Sequence, residues 1–238
     1  MTGRQPTPPF VPRLRRAGTP IIVAVDGPAA SGKSSTAQRV AQRLGFRHVD
    51  SGALYRAATA LALQMLPNPG SWTEGEILDA ARGVTLREAD ASMEPASSAG
   101  ELGEIVRSPT VTQHVSRVAQ MPRVREWVNE LVRSAALGHS VVVDGRDIGT
   151  VVFPDADLKV FLVADPWERA RRRLLQRLLR TPSDAEIAAE TEHLVQRDAR
   201  DATQTVQARD AVLIDTTYLT QEEQVERIVA LVGVVGGG

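Results

Sequence analysis

Residues 21–35 read IIVAVDGPAASGKSS, and the fold follows from how this stretch is parsed. Ile21–Asp26 is a short, almost unbroken apolar run, as a strand buried on both faces requires. Gly27-Pro28-Ala29-Ala30-Ser31-Gly32-Lys33-Ser34 completes a G-x-x-x-x-G-K-[ST] motif, and Lys33–Leu44 then has helical periodicity. The glycines let the loop wrap so that successive backbone N–H groups point at phosphate oxygens. The helix that follows adds the positive end of its dipole. Lys33 is placed to reach the β- and γ-phosphates, and the Ser34 hydroxyl to ligate Mg²⁺. Gly27, Pro28, Ala29, Ala30, Ser31, Gly32, Lys33 and Ser34 are therefore the expected cradle for a nucleoside triphosphate with Mg²⁺. The bland alternative is a chance Gly-rich turn. It is disfavoured because the chain holds only two lysines, Lys33 and Lys159, and because the strand before and the helix after are both present.

Outward from the loop, four further runs read as strands: Phe46–Asp50, Ser140–Asp144, Leu158–Val163 and Ala211–Asp215. Four of the five runs end on Asp, which places carboxylates at the strand ends where open α/β sheets bind ligands. Helical patterns lie between them over Ala53–Leu66, Val111–Leu137 with a break at Pro122, Trp167–Leu179, Asp184–Asp201 and Glu222–Val232. The alternation predicts an α/β fold with a five-stranded parallel sheet flanked by helices. Residues 19–66 and 109–233 form the expected core. Residues 67–108 are rich in Gly, Ser, Pro and Glu and read as an insert, with one strand at Val84–Glu88 and little strand character over Ala89–Glu104. Residues 1–18 are expected to be a disordered leader and 234–238 a flexible tail.

Composition narrows the classes. With 238 residues and a net charge of −1 there is no electrostatic footprint for nucleic acid or an acidic membrane. The absence of cysteine removes disulfides and thiolate metal sites and favours a reducing compartment. No apolar run is long enough to span a bilayer, so a cytoplasmic location is expected. The histidines, His48, His114, His139 and His193, are too scattered for ligand spacing, which speaks against a metal hydrolase.

Three more segments carry chemistry. Asp50-Ser51-Gly52-Ala53-Leu54-Tyr55-Arg56 opens a helix and has the groups to hold a second anion, although a plain N-cap at Ser51 would read the same way. Arg146 and Asp147 emerge at the end of the third apolar run. An arginine there clamps phosphate and an aspartate accepts from an amino group, unless the two merely pair with each other. Arg169, Arg172 and Arg173 lie on one helix, with 169 and 173 spaced i, i+4, and Arg197 to Asp201 lies further on. Each run alone would pass for a solvated helix face. Together with a P-loop they suit phosphoryl transfer, which demands positioning and charge neutralisation. No N-K-x-D for guanine recognition is present.

The stretches VDGPAASGKSS (25–35), DSGALYR (50–56), SRVAQMPRVRE (116–126), VDGRDIGTVVFPDADLKVFL (143–162) and RDARD (197–201), in that order, resemble bacterial cytidylate kinases. DSGALYR and DGRDIGTVVFPDA are far more specific to that family than the P-loop. The resemblance implies a kinase that phosphorylates CMP and dCMP with ATP and Mg²⁺, with a CMP-side insert and a lid spanning about 167–200, expected as a monomer. It implies Gly27 to Ser35 around the ATP phosphates, Ser51, Tyr55, Arg146 and Arg197 around the CMP phosphate and sugar, Ser116, Arg125 and Asp147 at the cytosine, and Asp201 at the ribose. Lys33, Arg146, Arg169, Arg172 and Arg173 would neutralise the transferring phosphoryl group. Two departures stand out. Gln204 occupies a position where the family usually has Arg, and the insert lacks the family's evident antiparallel strands. The alternatives are a kinase drifted toward UMP and a non-catalytic nucleotide-binding regulator. The second has no use for transition-state charge neutralisation.

Overall fold

The structure is a computed structural model and describes residues 18–90, 92–98 and 100–236. Its central strand, β1 (Ile22–Asp26), runs into the Gly-rich loop and α1 (Lys33–Leu44). The chain continues through β2 (Arg47–Asp50), α2 (Ser51–Met65), α3 (Glu74–Ala80), β3 (Thr85–Ala89), β4 (Ser92–Ser97) and β5 (Gly100–Glu101). Then come α4 (Pro109–Val118), α5 (Pro122–Ala136), β6 (Val141–Gly145), β7 (Leu158–Val163), α6 (Pro166–Leu178), α7 (Asp184–Asp201), β8 (Val212–Asp215) and α8 (Gln221–Gly236). The sheet order is β3-β4-β2-β6-β1-β7-β8, with β5 paired to β4.

The parallel core β2-β6-β1-β7-β8 is the expected set of five strands, each within a residue of its sequence reading. Because Cβ atoms alternate along a strand, β1 sends Val23 and Val25 to one face and Ala24 to the other. Val23 and Val25 pack with Val142, Leu158 and Leu162 beneath α1 and α8. Ala24 joins Val49, Val141 and Val143 beneath α2 and α5. Apolar layers on both faces explain why these strands are continuously hydrophobic.

Local signals account for the helix ends. α1 begins after Gly32 in a left-handed conformation and ends at a left-handed Gly45. α2 is capped by Asp50, whose side chain accepts from the Ala53 N–H at 3.1 Å. The cap is therefore Asp50 and not Ser51. Pro122 stands in the first turn of α5, where its missing N–H costs nothing, and so separates α4 from α5. α3 was not expected. It starts with a capping box between Thr73 and Glu76, a T-x-x-E that is visible in the sequence.

The insert corrects the sequence reading. β4 and β5 form within the stretch thought to lack strand character, so the full sheet has eight strands. β4 is parallel to β2 through His48↔Ser92 and Val49↔Met93, and antiparallel to β3 and to β5. On the edge it shares with β2 and β5, pairing covers only Ser92, Met93, Ala96 and Ser97. Pro95 falls in the gap, where a residue without an N–H is tolerated. The strand thus arises from tertiary pairing and not from its own propensity. At the C-terminus, α8 continues to Gly236 with Val235 buried, past the expected start of the tail at 234. Residues 1–17 of the expected leader and the last two residues of the tail lie outside the described residues.

Candidate active site

The P-loop is built for an anion. Gly27 has φ +153°, and a Cβ there would lie 2.3 Å from the Leu162 carbonyl oxygen of β7, so only glycine lets the loop turn this close to the sheet. Among the described residues no side chain caps α1, and its first turn holds no acid, which leaves its N-terminal N–H groups for a ligand. Lys33 is 8% exposed and donates to the Pro28 carbonyl at 3.1 Å. Burial, reinforced by the charge on Arg146, holds its pKa down at about 7. Such a lysine is poised to gain its full charge when phosphate arrives. The Ser31 hydroxyl is buried with no hydrogen-bond partner among the described residues.

Ser34 donates to Asp144, the carboxylate ending the apolar run of β6. The other Asp144 oxygen meets His48 Nε2 at 2.7 Å, and His48 Nδ1 meets Ser92 Oγ on β4 at 3.2 Å. Burial opposes the charge on Asp144, but the His48 bond and the charges on His48 and Lys33 outweigh it and hold the pKa below the usual carboxylate range. Asp50 is pushed the other way by burial and by Asp144 beside it. The oxygens of Ser34 and Asp144 are a hard donor set, the kind that suits Mg²⁺. Sequence reasoning found Ser34 and missed Asp144, although the recurrence of Asp at strand ends pointed to it.

The second basic centre lies beyond the P-loop. Arg146 and Arg197 both lean on Asp201, at 3.6 and 3.7 Å, and the Nε groups of both arginines are buried without a hydrogen-bond partner among the described residues. Burial and the neighbouring Arg146 and Arg56 lower the Arg197 pKa to about 10. Arg56 is shifted down for the same reasons, burial first, and is held by the Thr112 hydroxyl at 3.0 Å and the Val106 carbonyl at 3.3 Å. Mutually repelling, desolvated guanidinium groups call for an anion between them. Arg56 and Arg107, which reaches Asp50 at 3.9 Å, were not singled out in the sequence, since a lone arginine in a helix or turn carries no local signal. Ser51 faces this centre with its hydroxyl donating to the Asp144 carbonyl at 2.8 Å.

Next to it, Asp147 is bonded by Arg125, whose guanidinium sits 5.9 Å from the Tyr55 ring centroid. Tyr55 is raised to about pKa 12, chiefly by burial, and Ser116 is buried on α4. Arg146 and Asp147 therefore partner other residues and not each other.

The lid arginines separate. Arg169 donates to the Ala29 carbonyl at 2.7 Å and to Asp198 at 2.6 Å, while the other Asp198 oxygen accepts the Ala29 N–H at 3.1 Å. Ala29 also packs with Ala170, Leu174, Ile187 and Leu194, so the α6–α7 pair rests on the P-loop. Arg173 pairs with buried Glu190 at 2.8 Å. Arg172 turns away to the carbonyls of Thr216 and Thr217, at 2.6 and 2.8 Å. The three arginines expected at the transferring phosphoryl group thus make separate contacts in this structure. Adjacent residues on a helix face different ways, so α7 claims Arg169 and Arg173 and the loop after β8 claims Arg172.

Comparison with known proteins identifies the family. The family model for cytidylate kinase matches residues 23–233. A cytidylate kinase from Desulfitobacterium hafniense is 44% identical over 214 residues, covering 88% of this chain and 91% of that protein. One from Chlorobaculum tepidum is 40% identical over 220 residues, covering 90% and 93%. A bifunctional pantoate ligase/cytidylate kinase from a Synechococcus strain is 41% identical over 233 residues, covering 93% of this chain and 42% of the longer protein. Identity of 40–44% across about nine-tenths of the chain, with the family model matching residues 23–233, places the chain in the cytidylate kinase family.

Proposed function

We propose that this protein transfers the γ-phosphoryl group of ATP to CMP or dCMP, giving ADP and CDP or dCDP. The observation that carries the reading is the pair of facing basic centres. Lys33 and the P-loop amides suit the donor phosphates, and Arg56, Arg146 and Arg197, with Ser51, suit the acceptor phosphate. Two anions held against each other in a desolvated cleft are what in-line phosphoryl transfer needs. Mg²⁺ accompanying ATP, held by Ser34 and Asp144, would neutralise charge on the β- and γ-oxygens. Arg169 at the Ala29 peptide and Arg173 beside the arginine centre are the lid cations nearest the transfer path. Arg172 holds the β8–α8 connection instead.

At the base end, Asp147 is the acceptor for the cytosine N4 amino group, with Arg125, Ser116 and Tyr55 completing the pocket. UMP offers a carbonyl at that position and leaves the Asp147 oxygens facing an acceptor, so it is discriminated against. Asp201, already between Arg146 and Arg197, is assigned to the ribose. We assign the enzyme to the cytoplasm as a monomer.

ADP release from MgATP, measured with CMP, dCMP, UMP, AMP or no acceptor, tests the reading. Release is expected with CMP and dCMP and to be far weaker with UMP and AMP. ATP binding without release on any acceptor would contradict it.

Gln204 makes a separate prediction. Its backbone N–H caps the end of α7 on the Asp201 carbonyl at 3.0 Å, next to the arginine centre, and both Arg200 and Arg209 are exposed. Gln204→Arg is expected to lower the KM for CMP by about tenfold, the worth of one charge-assisted hydrogen bond, and to leave the KM for ATP unchanged. An unaltered CMP KM would mean that Arg56 and Arg107 already serve in its place.

A further inference from the structure

Donor loop and acceptor turn are joined through one carboxylate that the phosphate chemistry does not use. Asp26, the last residue of β1, is 4% exposed. Its Oδ1 accepts the N–H of Ile148 and its Oδ2 the N–H of Gly149, both at 2.8 Å. These amides open a single π-helical turn, Ile148–Val152, directly after Arg146 and Asp147. The turn closes on the Asp147 carbonyl, which accepts from Val151 at 2.8 Å. A carboxylate supplies two acceptors for the two amides. An asparagine supplies one and turns its NH₂ donors toward the other N–H.

Lys159 also borders the turn, buried and tied to the Pro154 carbonyl at 2.6 Å and to Asp210 at 2.9 Å. A Cβ on Gly149 would lie 3.1 Å from Lys159 Cδ and 3.4 Å from Asp26 Oδ2. The Gly149 position is therefore closely lined by the Asp26 carboxylate and the aliphatic stem of Lys159. This also gives the chain's second lysine a local role.

The charge on the carboxylate is held against its burial. Burial raises the Asp26 pKa to about 6, with Asp147 adding to the rise, while the two amides and Lys33 only partly offset it. A carboxyl that binds its proton more tightly folded than unfolded loses stability for the fold as pH rises, here through roughly 4 to 6. At neutral pH the fold therefore penalises the ionised carboxylate relative to the protonated acid.

We propose that Asp26 is a positioning residue: through the Ile148 and Gly149 amides it sets Arg146 and Asp147 against the P-loop, and so fixes both the acceptor phosphate clamp and the choice of base. This rests on the CMP kinase reading above. The test uses purified full-length D26N and G149A, with kcat and KM for CMP and for UMP, and ATP affinity by calorimetry. D26N is expected to lower the CMP-over-UMP ratio of kcat/KM by at least about tenfold, and G149A by roughly three- to tenfold, because displacing the turn misplaces Asp147. ATP affinity should stay within about threefold in both, since the P-loop amides are untouched.

A purely structural role would lower the folded fraction and leave that ratio unmoved. A folded D26N or G149A with the wild-type ratio would overturn the positioning role, and G149A decides alone if D26N does not fold. Wild-type protein inactive on CMP would instead overturn the reading beneath it.

Discussion

Lys33→Met is expected to abolish most of the phosphoryl transfer while leaving a protein at least as stable as the wild type. Lys33 is the buried cation at the P-loop, with Nζ on the Pro28 carbonyl and a pKa held down at about 7. In the free protein its charge opposes folding. A lysine with a lower pKa folded than its ordinary 10.5 makes stability rise with pH between about 7 and 10.5, and at pH 7 it carries close to the full penalty. Methionine fills similar volume without that penalty, so Tm should rise by several degrees, about 2–4 °C per kcal/mol for a chain of this size. Catalysis moves the opposite way. Removing one preorganised positive group from a site where charge spreads over phosphoryl oxygens costs about 10²–10³ in kcat. Steady-state rates and a thermal melt on the same preparation check both halves. A variant that is inactive and also strongly destabilised would mean that Lys33 is chiefly structural.

The second large effect is expected at Arg146. Its Nε is buried without a hydrogen-bond partner among the described residues, and its contact with Asp201 is a loose 3.6 Å. It stands between the Lys33 end and the Arg197 end, and its charge lowers the pKa of both. Arg146→Ala should therefore raise the CMP KM and lower kcat together, with a loss in kcat/KM of about 10³-fold or more, the scale of an arginine that neutralises transferring phosphate. Arg146→Lys should recover only a small part, because a point charge lacks the planar fork that grips a phosphate at two oxygens. A change confined to the CMP KM, with kcat intact, would restrict Arg146 to ground-state binding.

Legibility of the site followed the range of the interactions. α1 and α7 have the bounds their periodicity predicts, and β1, β2 and β8 end on the expected aspartates while β6 runs one residue past Asp144, because caps, glycines and apolar runs are local signals. The floor of the site, Asp26, Asp50 and Asp144, was visible as a pattern of strand-terminal carboxylates. Their roles were not, since Asp144 finds Ser34 across 110 positions and Asp26 finds Ile148 across 122. β4 was hidden because a Ser- and Pro-containing strand depends on β2 and β3 for its pairing. The lid shows the same limit. Helical spacing puts Arg169 and Arg173 on a shared face, but only the packing of α7 sends one to Asp198 and the other to Glu190.

The central claim is the direct passage of a phosphoryl group from ATP to CMP, and labelled transfer tests it most directly. With ATP labelled at the γ-phosphoryl group and excess CMP, the account predicts label in the β-phosphate of CDP, one equivalent for each ADP formed, with no release of inorganic phosphate above that seen without CMP. Label appearing as inorganic phosphate, or remaining in ATP when CMP is bound, would contradict it.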